Sequence, residues 1–199
     1  MKYYTSTQSG FSLVETLVAI TILLVVIVGP MTISTSTARS TSFASEKVTA
    51  FFLAQEGAEL VQKVRDDLIL EAFNTGSAPQ GNWEIFSGVI PGSPVSTCYN
   101  ADGCGIHLNT DADASINVVS CASAANCRLY LDDSSTRARF THSSLGGNES
   151  TLYTRAITLT RSGSNDQVQV VSTVTWRSGN LAEEQQVSVE TFLHNVYGN

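Results

Sequence analysis

From Thr16 to Ala38 the chain carries no charged residue, and Leu17 to Val28 is almost wholly aliphatic. A helix rising 1.5 Å per residue needs about 20 such residues to cross a hydrocarbon core roughly 30 Å thick. The length and character of the segment therefore predict a membrane-spanning helix. Directly ahead of it stands Glu15, in the run Gly10-Phe11-Ser12-Leu13-Val14-Glu15. A carboxylate at the edge of an apolar span is costly to bury, so it calls for a partner.

A secretory signal peptide has a similar outline. It combines a positive n-region, an apolar core and a small-residue cleavage site beyond that core. Lys2 supplies one positive charge, and the Ser/Thr/Ala-rich stretch after Met31 has suitable residues for cleavage. Against it, Glu15 falls where charge should be positive or absent. Cleavage between Gly10 and Phe11 instead removes a short polar leader and leaves the span on the mature chain. An uncleaved anchor is the remaining plain reading of the same segment.

The 199 residues suit one domain plus an anchor. Eleven Lys and Arg against eighteen Asp and Glu give a net charge of -7, and loss of residues 1–10 removes only Lys2 from that balance. An acidic chain without clustered basic residues lacks the positive footprint of a nucleic-acid groove, so no nucleic acid is expected as a partner. Charged residues are only 15% of the chain, which leaves a polar, weakly charged surface of the kind many exported proteins carry.

Pro30 cannot donate a backbone hydrogen bond, so a kink or local break is expected near Gly29-Pro30. From Phe43 to Phe73 the apolar period is helical. Ala50, Leu53, Ala54, Gly57, Ala58, Val61, Val64 and Leu68 form one stripe, with Lys47, Glu56, Glu59, Lys63 and Asp66 largely elsewhere. Asn74-Thr75-Gly76, Pro79 and Gly81 then stop the helix. An amphipathic stripe needs a partner face. Leu152–Arg161, Gln167–Arg177 and Gln185–Val196 supply one, as strand-length segments rich in Val, Ile and Thr. Val168, Val170, Ser172, Val174 and Trp176 share one face of the second, and Val187, Val189, Thr191 and Leu193 alternate in the third. Ser162–Asn165 and Ser178–Asn180 are turn sequences. The expectation is an antiparallel meander packed on the 43–73 helix. Between them, 81–148 is irregular, with short strands expected at Trp83–Phe86, Ile116–Val119 and Arg128–Leu131.

Cys98, Cys104, Cys121 and Cys127 form two pairs with five residues between partners. An even count in an exported domain predicts disulfides, which persist in oxidising compartments. Three connectivities are open. The local one, Cys98 with Cys104 and Cys121 with Cys127, clips two short loops, and a nested one ties the region to itself. A zinc site is disfavoured, because structural zinc prefers two to four residues between paired ligands. Free thiols are the third reading. Asn109, Asp111 and Asp113 alternate like calcium ligands, but Ala114 and Ser120 stand where an EF-hand needs Gly and Glu, so a polar surface loop is expected and no metal is assigned. His107, His142 and His194 are far apart and sit in no catalytic motif. Asp132-Asp133 and Glu183-Glu184 suit a turn and an exposed hairpin end. No cofactor and no enzymatic activity are expected.

The run Gly10-Phe11-Ser12-Leu13-Val14-Glu15-Thr16-Leu17-Val18-Ala19-Ile20 resembles the processing and methylation site of type IV prepilins and type II secretion pseudopilins. In that family a membrane aspartyl peptidase cuts after the glycine and methylates the new amino terminus. The resemblance makes Gly10 the residue before the cut, Phe11 the methylated first residue and Glu15 the fifth mature residue. Phe52–Val61 with Arg65-Asp66-Asp67 also resembles the helix continuation of PilV-like minor pilins. The likeness covers roughly the first 73 residues well and the rest in layout.

The fold it implies is α+β and pilin-like: a long amino-terminal helix, membrane-spanning then amphipathic, packed on a small carboxy-terminal antiparallel sheet. It implies a leader at 1–10, a filament-core helix at 11–38 and an exported domain at 39–199. That domain comprises helix to about 73, a disulfide-bearing region at 81–148 and sheet at 152–196. Its implied partners are the prepilin peptidase, other pilins or pseudopilins, the inner-membrane assembly platform and, before assembly, membrane lipid. Glu15 is expected to pair with the terminal amine of a neighbouring subunit. The implied location is the cell membrane in a single pass with the domain outside the cytoplasm, then a surface filament. A minor pilin is the first reading. A pseudopilin of a secretion or DNA-uptake machine, and a singly anchored surface binding module, are the alternatives.

Overall fold

The computed structural model describes residues 10, 12–109, 115–134, 137–179 and 183–197. It divides the chain into two compact units, Met1–Ser45 and Glu46–Asn199. One helix, α1 (Leu13–Thr75), contributes to both.

In the first unit α1 is long and apolar enough to cross a membrane, and its large apolar residues, Leu13 and Val25 among them, stand exposed. The helix runs through Gly29-Pro30 without interruption, so the break expected there is absent. A proline removes one ladder bond and leaves the bonds on either side, which suffices in a helix this long. The hydroxyls of Thr16, Thr21, Thr32 and Thr35 donate to the carbonyl three residues back, and those of Thr37 and Thr41 to the carbonyl four back. These six threonines therefore enter apolar surroundings with their donors already satisfied.

In the second unit α1 buries Ala50, Leu53, Ala54, Gly57, Ala58, Leu60, Val61, Val64, Ile69 and Ala72. The expected stripe is present up to Val64. Beyond it Ile69 and Ala72 are buried, while Leu68 is only half-buried. Gly76, at φ 70°, ends the helix. The Ser77 amide bonds the Ala72 carbonyl and the Gly76 amide bonds the Phe73 carbonyl, a Schellman arrangement that needs the left-handed residue glycine tolerates.

Helix α2 (Pro79–Phe86) replaces the strand expected at Trp83–Phe86. Pro79 sits in its first turn, where the missing N–H costs nothing. Trp83 and Phe86, three apart, fall on one face and are both buried, a helical spacing rather than an alternating one.

The strands are β1 (Cys104–Leu108), β2 (Ile116–Ser120), β3 (Arg128–Asp132), β4 (Arg139–Thr141), β5 (Glu149–Arg161), β6 (Gln167–Trp176) and β7 (Gln185–His194). They form one seven-stranded sheet. The carboxy-terminal meander β5-β6-β7 is present in the expected antiparallel register, with Leu159 opposite Val170 and Val170 opposite Thr191. The sheet is larger than the meander expected, because the region 81–148 adds four strands to it. Along the other edge of β5, β1 pairs at Cys104 and Ile157, and β3 pairs at Arg128 and Thr154 and, after a shift in register, at Tyr130 and Ser150. The hairpin partners β2 and β4 flank them. The structure thus has a long amino-terminal helix packed on an antiparallel sheet, the α+β class expected.

One core cluster joins Val61 and Val64 of α1 to Trp83, Phe86, Ile106, Ile157 and Val170. A second joins Ala50, Leu53 and Ala54 to Leu129, Tyr153, Val174 and Trp176.

Candidate functional site: the processing segment and its supporting domain

Gly10 is exposed, and a Cβ built there meets nothing within 4 Å. Phe11 lies outside the described residues. Ser12 precedes α1, and its carbonyl accepts the Thr16 amide at 3.1 Å. Glu15 stands in the first turn, where the unsatisfied N–H groups and the helix dipole favour a carboxylate. Its side chain is exposed, and among the described residues it makes no hydrogen bond or ion pair. The segment therefore offers an exposed glycine, then a free carboxylate, then an exposed apolar helix. Such an arrangement suits recognition by other molecules.

The four cysteines form two disulfides, Cys98–Cys104 and Cys121–Cys127, with Cα separations of 4.6 and 5.4 Å. The first ties a short 3-10 helix, Ser96–Tyr99, to the start of β1, and the second ties the end of β2 to the 3-10 turn before β3. Each closes a loop short enough to contribute about 2 kcal/mol through the unfolded chain. Their place explains their use, since both brace the connections that bring β1 and β3 to the same edge of β5.

Sequence spacing gave no sign of the polar cluster beneath α1. Arg155 of β5 is fully buried. It donates to Glu56 Oε2 at 2.7 Å, to the Leu53 carbonyl at 3.0 Å and to the Ile106 carbonyl at 2.7 Å. A buried guanidinium requires such partners, and Glu56 supplies the counter-charge from the helix. Gly57 makes this contact possible. A Cβ there would collide with the Ser172 hydroxyl and lie 3.1 Å from Arg155 Cδ, so the helix approaches the sheet closely where glycine leaves room.

Beside Arg155 the rings of His107 and His142 lie with centroids 5.7 Å apart, brought together by β1 and the end of β4. Gly105 admits the His142 ring, which would stand 2.8 Å from a Cβ. Burial, then the Arg155 charge, then His107 push His142 down to about 3. Burial, with Arg155 and Arg139, also lowers His107. Both rings are thus neutral in the folded protein near neutral pH. Asp132 is held low by the Ser134 hydroxyl and amide and by Arg139, so its adjacency to Asp133 reflects a turn. His194 lies apart, on a groove that Arg65 and Asp66 of α1 also line. Asn109 closes the β1–β2 connection through its amide to the Ser115 carbonyl, while Asp111 and Asp113 lie outside the described residues. Among the described residues no three His, Cys, Asp or Glu gather as a metal would require.

Residues 5–29 match the family model for the prokaryotic N-terminal methylation motif. No curated protein matches the chain, and no solved structure does. The matched segment contains Gly10, Phe11, Glu15 and most of the apolar span. The motif supports a type IV pilin-like or pseudopilin-like subunit, processed by a prepilin peptidase, anchored in a membrane near its amino terminus, and structural rather than enzymatic in role.

Proposed function

We propose that this chain is a minor pilin, a low-abundance structural subunit of a type IV pilus-like filament. The supporting observation is the methylation motif over residues 5–29, which takes in a free, exposed Glu15 and most of a membrane-length apolar span, on a chain whose remainder is an α+β domain. Cleavage after Gly10 frees the amine of Phe11, which is then methylated. Membrane lipid covers the helix until assembly, while the disulfide-bearing domain stands outside the cytoplasm. Extraction by the assembly platform then moves the helix from lipid to the apolar core of a fibre. There Glu15 pairs with the amine of a neighbouring subunit, so that two charges costly to bury separately cancel and the axial register is selected. The minor assignment draws on the PilV-like helix sequence.

Two measurements test this together. Peptide mass spectrometry of the mature chain should place Phe11 first with one added methyl group, and shearing should release a small fraction of the protein in surface filaments. A mature end beyond Met31, or an intact leader, refutes the proposal. Correct processing with all of the protein retained in the envelope assigns it instead to a secretion-type pseudopilus.

A further inference from the structure

Strand β7 is an edge. Among the described residues it pairs with β6 alone. The Asn195 amide donates to the Asp166 carbonyl at 2.7 Å, so the backbone groups at 195 face the β6 side. In an antiparallel ladder the N–H and C=O of one residue point the same way, and that direction alternates along the strand. The β6–β7 register runs unbroken from Gln167↔His194 to Trp176↔Gln185. Gln185, Val187, Val189, Thr191 and Leu193 therefore bond β6. Gln186, Ser188, Glu190, Phe192 and His194 direct their N–H and C=O groups outward, to an open edge.

Long open edges normally carry lysine, proline or a bulge that discourages pairing. From Ser178 to Asn199 the sequence has no Lys, Arg or Pro. Exposed Glu183, Glu184 and Glu190 instead make this edge acidic. At its His194 end the edge meets an open groove of about 560 Å³, lined by Leu70, Phe73, Val196 and Tyr197 together with the ion-paired Arg65 and Asp66. Leu70, Phe73 and Val196 are each more than half exposed. Hydrogen-bonding edge, acidic margin and apolar groove thus lie in sequence along one side of the domain.

We propose that β7 and this groove bind an extended, cationic segment of a partner protein, which joins the sheet as an eighth strand. The segment's backbone pairs with the five outward residues. Its lysines or arginines face Glu183, Glu184 and Glu190, and a bulky apolar side chain fills the groove. Every ladder in the sheet is antiparallel. The same mode at β7 sets the apolar anchor at the amino-terminal end of the segment. The inference is independent of whether the chain enters a pilus or a pseudopilus.

The test titrates the full-length protein, in detergent micelles, with a synthetic peptide of phenylalanine followed by alternating lysine and valine. Binding should be saturable and should slow amide exchange at Gln186, Ser188, Glu190 and Phe192, with little change at Val187 and Val189. A peptide N-methylated at alternate residues, and the Ser188→Pro variant, which loses an outward N–H and keeps the β6 ladder, should each bind at least about tenfold more weakly. A peptide with glutamate in place of lysine should also bind more weakly. Equal binding of the N-methylated peptide, or unaltered exchange at those four amides, overturns the proposal. Slowed exchange there that grows with protein concentration and needs no peptide also overturns it, and gives the edge to a second copy of this chain.

Discussion

Acid should unfold the domain through two histidines that no catalytic role requires. In the folded protein His142 is pushed from 6.5 to about 3, first by burial and then by Arg155 and His107. The unfolded chain keeps the ordinary value. Because the folded value is the lower one, the folded state binds fewer protons than the unfolded state throughout the interval between them, and stability falls as pH falls below 6.5. Near pH 4.5 the unfolded ring is almost fully protonated and the folded ring almost fully neutral. About two pH units at about 1.4 kcal/mol each give a loss of about 3 kcal/mol, rising towards about 5 kcal/mol near pH 3. His107 is lowered by the same burial and the same guanidinium, so it adds to the loss in the same direction. Against a typical total of about 5–15 kcal/mol this is a large fraction.

Urea unfolding of the full-length protein in detergent, followed by the fluorescence of buried Trp83 and Trp176, measures it. The midpoint should fall markedly between about pH 7 and about pH 4.5 in the wild type. In His142→Asn, whose amide can still donate to the Arg128 carbonyl that His142 Nδ1 meets at 3.2 Å, much of that dependence should vanish. An unchanged wild-type midpoint, or an equal fall in the variant, refutes the reasoning. So does a His142 ring that titrates near 6.5 by NMR.

Two further outcomes follow from the processing segment and the cysteines. Glu15→Ala should be cleaved and methylated normally yet reach sheared filaments at least about tenfold less, because a neighbour's amine then enters the fibre core unpaired at a cost of several kcal/mol. Comparable incorporation of variant and wild type removes the role given to Glu15. Cys98, Cys104, Cys121 and Cys127 should all resist thiol labelling in denaturant without reductant, and reduction should lower stability by about 2 kcal/mol per bond. Four reactive thiols would show that the loops around β1 and β3 are held in another way.

What could be read in advance was local or periodic. The helix stripe from Ala50 to Val64, the alternation in β6 and β7, and the glycine that stops α1 each depend on residues within a turn or two of one another. Trp83–Phe86 failed on the same grounds, since four residues with two aromatics and an isoleucine fit a strand or a helical turn, and only Pro79 in the first turn favours the helix. Leu68 and Ile69 show the same limit. Both are apolar, and the packing of α1 against α2 and the sheet decides which is buried. The polar cluster lay further out of reach. Glu56 and Arg155 are 99 residues apart in sequence, and His107 and His142 meet only because β1 and β3 share one edge of β5. Gly57 and Gly105 were the available signals. Each removes a side chain where another element must approach, and neither indicates what will fill the space. The helix could in principle have slid along an apolar sheet face with little penalty. The buried guanidinium of Arg155 forbids this, because only one register places the Leu53 carbonyl and the Glu56 carboxylate over it. A charge buried at some cost in stability thus fixes how the helix sits on the sheet, and with it the groove that α1 forms beside β7.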